Sequence, residues 1–173
     1  RSTISGNVAQ EQQVLQEIVV RYPNPIAESI EARYRLLEIE RGQGDAAAVT
    51  ARLQELIRVD ATAGSQRSDR TRFLAAKASL ELAEPVLRRF TVVKLSQPLA
   101  ESMKLKRELM EDVIEVYTAA ADYGVAEVTT AATFQMGKVY EQFSEDLMGS
   151  ERPADLDAAA LEQYERLLEE QMF

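Results

Sequence analysis

The chain has 173 residues, of which 46% are hydrophobic and 28% charged, so it is long enough to bury one core or to stack about three or four helical hairpins. Its formal net charge of −9 repels phosphate backbones and anionic lipids, which argues against nucleic acid as a partner. Cysteine and histidine are both absent, which excludes disulfides, thiolate nucleophiles, Cys/His zinc sites and imidazole bases.

The sequence carries no pattern of membrane insertion or export. No stretch approaches the roughly 20 apolar residues that a bilayer span needs, and no leader pattern is present. The chain begins at Arg1 and ends at Phe173 within a helical pattern, so we expect it to be a soluble fragment of a longer protein. Its lack of cysteine fits an oxidising compartment, and fits many cytosolic proteins equally well.

Apolar residues recur at helical spacing along most of the chain, and strand-like alternation is nearly absent. The first third predicts helices over about 7–22, 27–42 and 45–59. Pro23 and Pro25 stop the first helix, Gly44 follows the second, and Asp45 is well placed to cap the third.

The rest of the chain predicts a loop over 61–68 and then longer helices. Ser68 or Asp69 caps the fourth helix, which Pro85 either kinks or ends. The fifth and sixth helices cover about 99–123 and 126–147, and Asp155 or Asp157 opens the seventh.

Small and aromatic residues recur here at a spacing that suits helical hairpins stacked on one another. A large apolar residue, a glycine and a tyrosine stand in the sixth helix, and an alanine, a tyrosine and a leucine stand in the seventh. These residues are Met136, Gly137 and Tyr140, followed by Ala160, Tyr164 and Leu167. The arrangement resembles the tetratricopeptide repeat, although extra residues separate its two halves.

A weaker repeat includes Leu36, Leu37 and Gly44, and the resemblance over 67–123 is mostly topological because the helices there are longer than the family's unit. The resemblance implies an all-α, right-handed superhelical solenoid of antiparallel hairpins with about seven helices in one domain over 1–173. Short-helix repeats would cover 1–60, a long-helix hairpin 67–123, and a hairpin with an inserted loop 126–173.

Three short runs resemble, more narrowly, envelope-associated repeat proteins of Gram-negative bacteria. They are Thr129–Thr133, Ser150–Pro153 and Gln163–Gln171. This likeness implies a periplasmic or outer-membrane-associated scaffold.

The repeat pattern also assigns roles to single residues. Gly137 and Ala160 are expected where two helices approach closely, and Tyr140 and Tyr164 are expected to fill the space between layers. Packing is the default interpretation of these positions, and a leucine at Gly137 would then overpack the hairpin.

In the repeat family, the first helix of each hairpin lines a concave groove that holds an extended peptide or a partner helix. Transferred by position, the groove residues are Tyr34, Glu38 and Arg41 in one repeat and Phe134, Lys138, Glu141 and Gln142 in another. The alternative for each of them is an ordinary solvated helix face.

Basic residues cluster around Pro98, and the chain from Glu141 onward is strongly acidic. The basic residues are Arg88, Arg89, Lys94, Lys104, Lys106 and Arg107. Separated charges of opposite sign would steer a partner or favour head-to-tail association, unless the cluster is paired internally at helical spacing.

No residue set supports catalysis or a cofactor, since phosphate loops, nucleophile elbows and histidine-containing carboxylate sites are all missing from the sequence. We therefore expect a non-catalytic scaffold that binds protein or peptide through its groove. The alternative is a structural module that self-associates into a homo-oligomer or larger assembly.

Overall fold

The computed structural model describes the backbone of residues 2–170 and the side chains of residues 7–170. Over these residues the chain forms seven α-helices, one short 3₁₀ turn at Gly64–Gln66, and no strand. The helices are α1 (Ser2–Arg21), α2 (Ile26–Gln43), α3 (Ala46–Thr62), α4 (Asp69–Val92), α5 (Leu99–Ala121), α6 (Ala126–Met148) and α7 (Ala158–Glu170). The predicted all-α class is confirmed.

Several helix ends lie where the sequence predicted them. Asp45 caps α3 by accepting a hydrogen bond from Ala48 N at 3.0 Å, and Asp157 caps α7 in the same way through Ala160 N at 2.8 Å. Gly44 follows α2 with a φ of +75°, a left-handed conformation that glycine adopts at little cost. Local side-chain chemistry therefore sets these boundaries.

Pro85 neither ends α4 nor divides it, because the helix is continuous from Asp69 to Val92. A proline inside a helix removes one backbone hydrogen bond and costs about 3 kcal/mol. Ala83 and Phe90, on either side of it, are both fully buried. Their burial offsets part of that cost and holds the segment helical.

The chain divides into two compact units. Unit 1 contains the described residues up to 82 together with 119–129, and unit 2 contains 83–118 together with 130–170. The division falls inside α4, α5 and α6. Each unit is therefore built from two separate stretches of chain.

Consecutive helices pack against each other in unit 1, where α1 contacts α2 and α2 contacts α3. One buried cluster joins α2, α3 and α4 and consists of Ile30, Leu37, Leu53, Leu56, Leu74 and Ala78. Another joins α1 to α2 through Val19, Ala32 and Leu36. A further cluster joins α4, α5 and the start of α6 through Ala76, Ala120 and Val128.

Unit 2 buries large apolar side chains from four helices together with one lysine. The buried apolar residues include Phe90, Val113, Tyr117, Val139, Phe143, Leu147 and Leu168. Lys106 of α5 is also completely buried. A lysine side chain is almost never fully buried unless its ammonium group is paired.

The predicted packing roles in α6 and α7 need correction. Gly137 is exposed, and apart from the backbone of α6 a Cβ atom added there would meet no described atom within 4 Å, so no other described helix approaches it closely. Tyr140 and Leu167 are about half exposed, at 53% and 51%. In α7 the neighbouring Leu168 is buried instead, since successive residues on a helix point about 100° apart.

The other predicted packing positions of the repeat differ in how deeply they are buried. Leu36 and Leu37 are buried in α2. Met136, Ala160 and Tyr164 are partly buried.

Candidate functional site

One face of α6 in unit 2 exposes large apolar side chains to solvent. Phe134 is 65% exposed, Tyr140 53% and Met148 42%. The opposite face of the helix is buried through Ala132, Val139, Phe143 and Leu147. We call the exposed set, Phe134, Gly137, Lys138, Tyr140, Glu141 and Met148, the α6 face. Three of its six members are large and apolar, although residues on an exposed helix surface are ordinarily polar.

Gly137 leaves a gap in the middle of the α6 face. It stands three residues after Phe134 and three before Tyr140, so the three positions follow one another along the helix surface. Apart from the backbone of α6 itself, no atom of the described residues lies within 4 Å of the place that a Cβ would occupy there. The helix backbone is therefore open to a partner between two aromatic rings.

The polar members of the α6 face are paired with each other. Lys138 Nζ lies 2.5 Å from Glu141 Oε2, and both side chains are about half exposed. The hydrogen bond to Glu141 raises the pKa of the Lys138 ammonium, so it is fully charged at neutral pH. Gln142 is directed elsewhere, since it donates to Asp146 Oδ1 at 3.0 Å.

The other three predicted groove residues belong to unit 1. Tyr34 is partly buried against the core cluster of α2, α3 and α4, and the guanidinium carbon of Arg70 lies 5.3 Å from the centre of its ring. Arg41 contacts Glu38 at 2.6 Å and also pairs with Glu81 of α4. These side chains join α2 to α4. The seven predicted groove residues are thus divided between the two units.

Unit 1 contains an open cavity of about 580 Å³ beside Asp60. Arg67 donates from Nε to both Asp60 oxygens, at 3.1 and 3.0 Å, and Thr71 Oγ1 donates to Asp60 Oδ1 at 2.7 Å. The hydrogen bond to Asp60 raises the pKa of the Arg67 guanidinium. Asp60 is buried and compensated, and its two partners connect the end of α3 to Arg67 and to the first turn of α4.

A largely buried chain of ion pairs joins α2 to α3, and it was not predicted. Arg33 Nε donates to Glu55 Oε1 at 2.8 Å, and Arg52 Nη1 donates to Glu55 Oε2 at 2.5 Å. Arg52 Nη2 also donates to Glu40 Oε1 at 2.9 Å. The sequence does contain one signal of these buried charges. Arg33 and Glu40 lie at helical spacing on the same face of α2 as the buried Leu37.

The basic cluster around Pro98 is partly paired within unit 2. Arg88 lies 3.6 Å from Glu84, and Lys104 lies 4.0 Å from Glu108. Lys106 is buried 2.7 Å from Asp146 of α6. The sequence left internal pairing at helical spacing open as an alternative to a free positive field. Arg88 and Lys104 are paired at that spacing, whereas Lys106 pairs with another helix.

Comparison with known proteins gives no match. No family model matches the chain, no curated protein is significantly similar to it, and no solved structure gives a significant match. The resemblance to the tetratricopeptide repeat therefore rests on the residues named above.

The described residues contain neither a candidate membrane span nor a candidate metal cluster. No helix among them combines the length and the apolar composition that a bilayer-spanning segment requires. No group of three or more acidic, histidine or cysteine side chains among them is arranged to hold a metal ion.

Proposed function

We propose that this chain is a non-catalytic protein-interaction module that binds a peptide or helix of a partner protein. The α6 face supports the proposal most directly, because Phe134, Tyr140 and Met148 are exposed around the open position at Gly137. Exposed aromatic and methionine side chains are enriched at protein interfaces, where they bury a large area at low entropic cost. The Lys138–Glu141 pair supplies charges of both signs at the edge of this surface.

The proposal extends to the architecture. Successive packing of α1 on α2 and of α2 on α3 supports a stack of helical hairpins of the tetratricopeptide-repeat type. In proteins of that type the first helix of each hairpin lines a concave surface that holds a peptide or a helix.

A bacterial cell envelope is the proposed location, at the periplasmic side or on the outer membrane. The absence of cysteine and the likeness of three short runs to envelope-associated repeat proteins support it. Fractionation of cells that express the full-length gene product tests this location. Recovery with cytoplasmic markers alone would contradict it.

The binding surface is tested by changing two of its exposed residues together. We expect Phe134→Ala with Lys138→Glu to weaken capture of envelope proteins at least about ten-fold, because it removes an aromatic anchor and reverses a charge. Each captured protein is then purified and its affinity measured by calorimetry. Helicity and melting temperature should stay nearly unchanged, since both side chains are exposed.

A matched control lies in the same unit. Val92→Ala with Lys94→Glu also removes one exposed apolar side chain and reverses one lysine charge. It should bind as the unchanged protein does. Equal loss of binding in both variants would contradict the assignment to the α6 face, and unfolding of the first would show that Phe134 supports the fold.

Self-association is the second candidate function, and two exposed valines of α1 favour it. Val14 is 51% exposed and Val20 67%. Sedimentation velocity over a hundred-fold concentration range distinguishes the two functions. A monomer that binds envelope protein supports the module, and a concentration-dependent oligomer that binds none supports self-assembly.

A further inference from the structure

The cavity of about 580 Å³ in unit 1 has a defined place in the fold. It lies where α3 and α5 end, and its walls include Ile57 and Ala61 of α3 and Ala119 of α5. Asp122 and Tyr123, which follow α5 directly, complete that side. The volume falls within the range of small-ligand pockets in proteins.

One carboxylate at this cavity has no internal partner. Asp60 is neutralised, because Arg67 Nη2 lies 2.8 Å from its Oδ2 and Thr71 donates to its Oδ1. Asp122 is exposed and makes no hydrogen bond or ion pair within the part of the chain that the structure describes. The cavity thus carries one uncompensated negative charge.

Two helix ends add to that negative charge. The last carbonyl groups of a helix carry a partial negative charge that favours cations within about one turn. Neither α3 nor α5 has a basic residue in its last turn, although such residues commonly occupy that position. Both dipoles therefore favour a positive charge at this cavity.

The remaining walls suit the stem of a long cationic side chain. Ile57, Ala61 and Ala119 are apolar, and Tyr123 supplies an aromatic ring. Burial raises the pKa of the Tyr123 phenol, and the charge of Asp60 raises it further, so the ring is neutral at pH 7. A neutral ring attracts a cation through its face.

From this geometry we infer that the cavity binds the cationic side chain of a lysine or arginine from a partner protein. Asp122 pairs with the charge, and the apolar wall covers the methylene stem. An anionic group is disfavoured because Arg67 is already occupied by Asp60. The inference concerns unit 1 and is independent of the α6 face, so either can fail without the other.

The test uses a single capped amino acid as the probe. N-acetyl-lysine-N-methylamide is titrated into the ¹⁵N-labelled chain, and shifts are expected in the amides of residues 57–67 and 119–124. The same compound with norleucine in place of lysine should cause shifts at least about ten-fold weaker at equal concentration, because it lacks the charge. Raising the salt concentration from 20 to 300 mM should weaken lysine binding.

Two variants separate charge from shape. Asp122→Asn should weaken lysine binding at least about five-fold, whereas Asp112→Asn, which removes an exposed carboxylate elsewhere on α5, should leave it unchanged. Ala119→Leu keeps the charge but fills the cavity, and it should also weaken binding. The exposure of Asp122 and Ala119 makes both variants compatible with folding.

Three results would overturn the inference. The first is lysine and norleucine shifting the same amides to the same extent. The second is equal binding by the Asp122→Asn and Asp112→Asn variants. The third is tighter binding of the corresponding capped glutamate, which would make this an anion site.

Discussion

Gly44 and Gly137 serve different purposes in this chain. Gly44 has a φ of +75°, where L side chains are strained, and it ends α2 by donating to Arg41 O at 3.0 Å. Gly137 lies inside α6, and a Cβ added there would meet nothing within 4 Å. A methyl group therefore strains the backbone at Gly44, whereas at Gly137 it makes no contact with another part of the described chain.

We expect Gly137→Ala to raise the free energy of unfolding by about 0.5 to 1 kcal/mol, because alanine restricts the unfolded chain and favours the helix. Gly44→Ala is the matched comparison and should lower the free energy of unfolding by about 1 kcal/mol or more, since the left-handed conformation is retained at a cost. Urea unfolding measures both. Destabilisation by Gly137→Ala would mean that another part of the chain packs on this position.

The role of Gly137 could not be predicted from the repeat pattern, and the reason is specific to α6. A helical period shows which residues share a face, but it does not show which face meets a neighbour. This helix has apolar residues on its exposed and on its buried sides, with Phe134 and Tyr140 exposed and Val139 and Phe143 buried. Since both sides satisfy the pattern, only the tertiary structure distinguishes them.

At the scale of elements, Lys106 joins three helices of unit 2. From α5 it donates to Phe90 O at 2.6 Å and Val93 O at 2.8 Å, which are carbonyl groups at the end of α4. Its ammonium lies 2.7 Å from Asp146 of α6 and 4.0 Å from the centre of the Phe90 ring. A residue of one helix thus satisfies the open carbonyl end of another.

Lys106→Met should destabilise the chain by about 3 to 5 kcal/mol, because it leaves the Asp146 carboxylate largely buried without its cation. Lys104→Met on the same helix removes an exposed lysine and should cost less than about 0.5 kcal/mol. Chemical denaturation at pH 7 measures the difference. Combining Lys106→Met with Asp146→Leu should recover part of the loss, and similar costs for the two single variants would contradict this role.

The helices themselves were largely predictable, and the reason lies in their length and caps. Helices such as α5 and α6, of 23 residues each, repeat the apolar spacing many times. The pairing of Lys106 was not predictable, because Asp146 lies on another helix and the basic residues near Pro98 suggested a surface cluster. Contacts between helices depend on rotation about each axis, which local sequence does not determine.

At the scale of the whole molecule, burial is distributed unevenly among the helices. In α2, Ser29, Ile30, Ala32, Arg33, Leu36, Leu37, Ile39 and Glu40 are buried, whereas Leu168 is the buried residue of α7 within its described length. The Tyr164 hydroxyl of α7 is also buried without a hydrogen-bond partner among the described residues. Elements with few buried contacts open at a lower free energy than the core does.

Amide hydrogen exchange should therefore be faster in α7 than in α2. We expect protection factors at residues 165–168 to be at least about ten-fold lower than at Leu36 and Leu37. Mass spectrometry of exchanged peptides, or NMR, measures the ratio. Equal protection of both helices would show that α7 opens only when the whole chain unfolds.

The discontinuous make-up of the two units has a genetic consequence. The buried contact of Ala76 with Ala120 and Val128 is complete only when residues from α4, α5 and α6 are all translated. A truncated transcript that ends after α4 would encode most of unit 1 but neither Ala120 nor Val128. Neither unit can be deleted, duplicated or moved by recombination as one continuous block, because each consists of two separate stretches of the coding sequence.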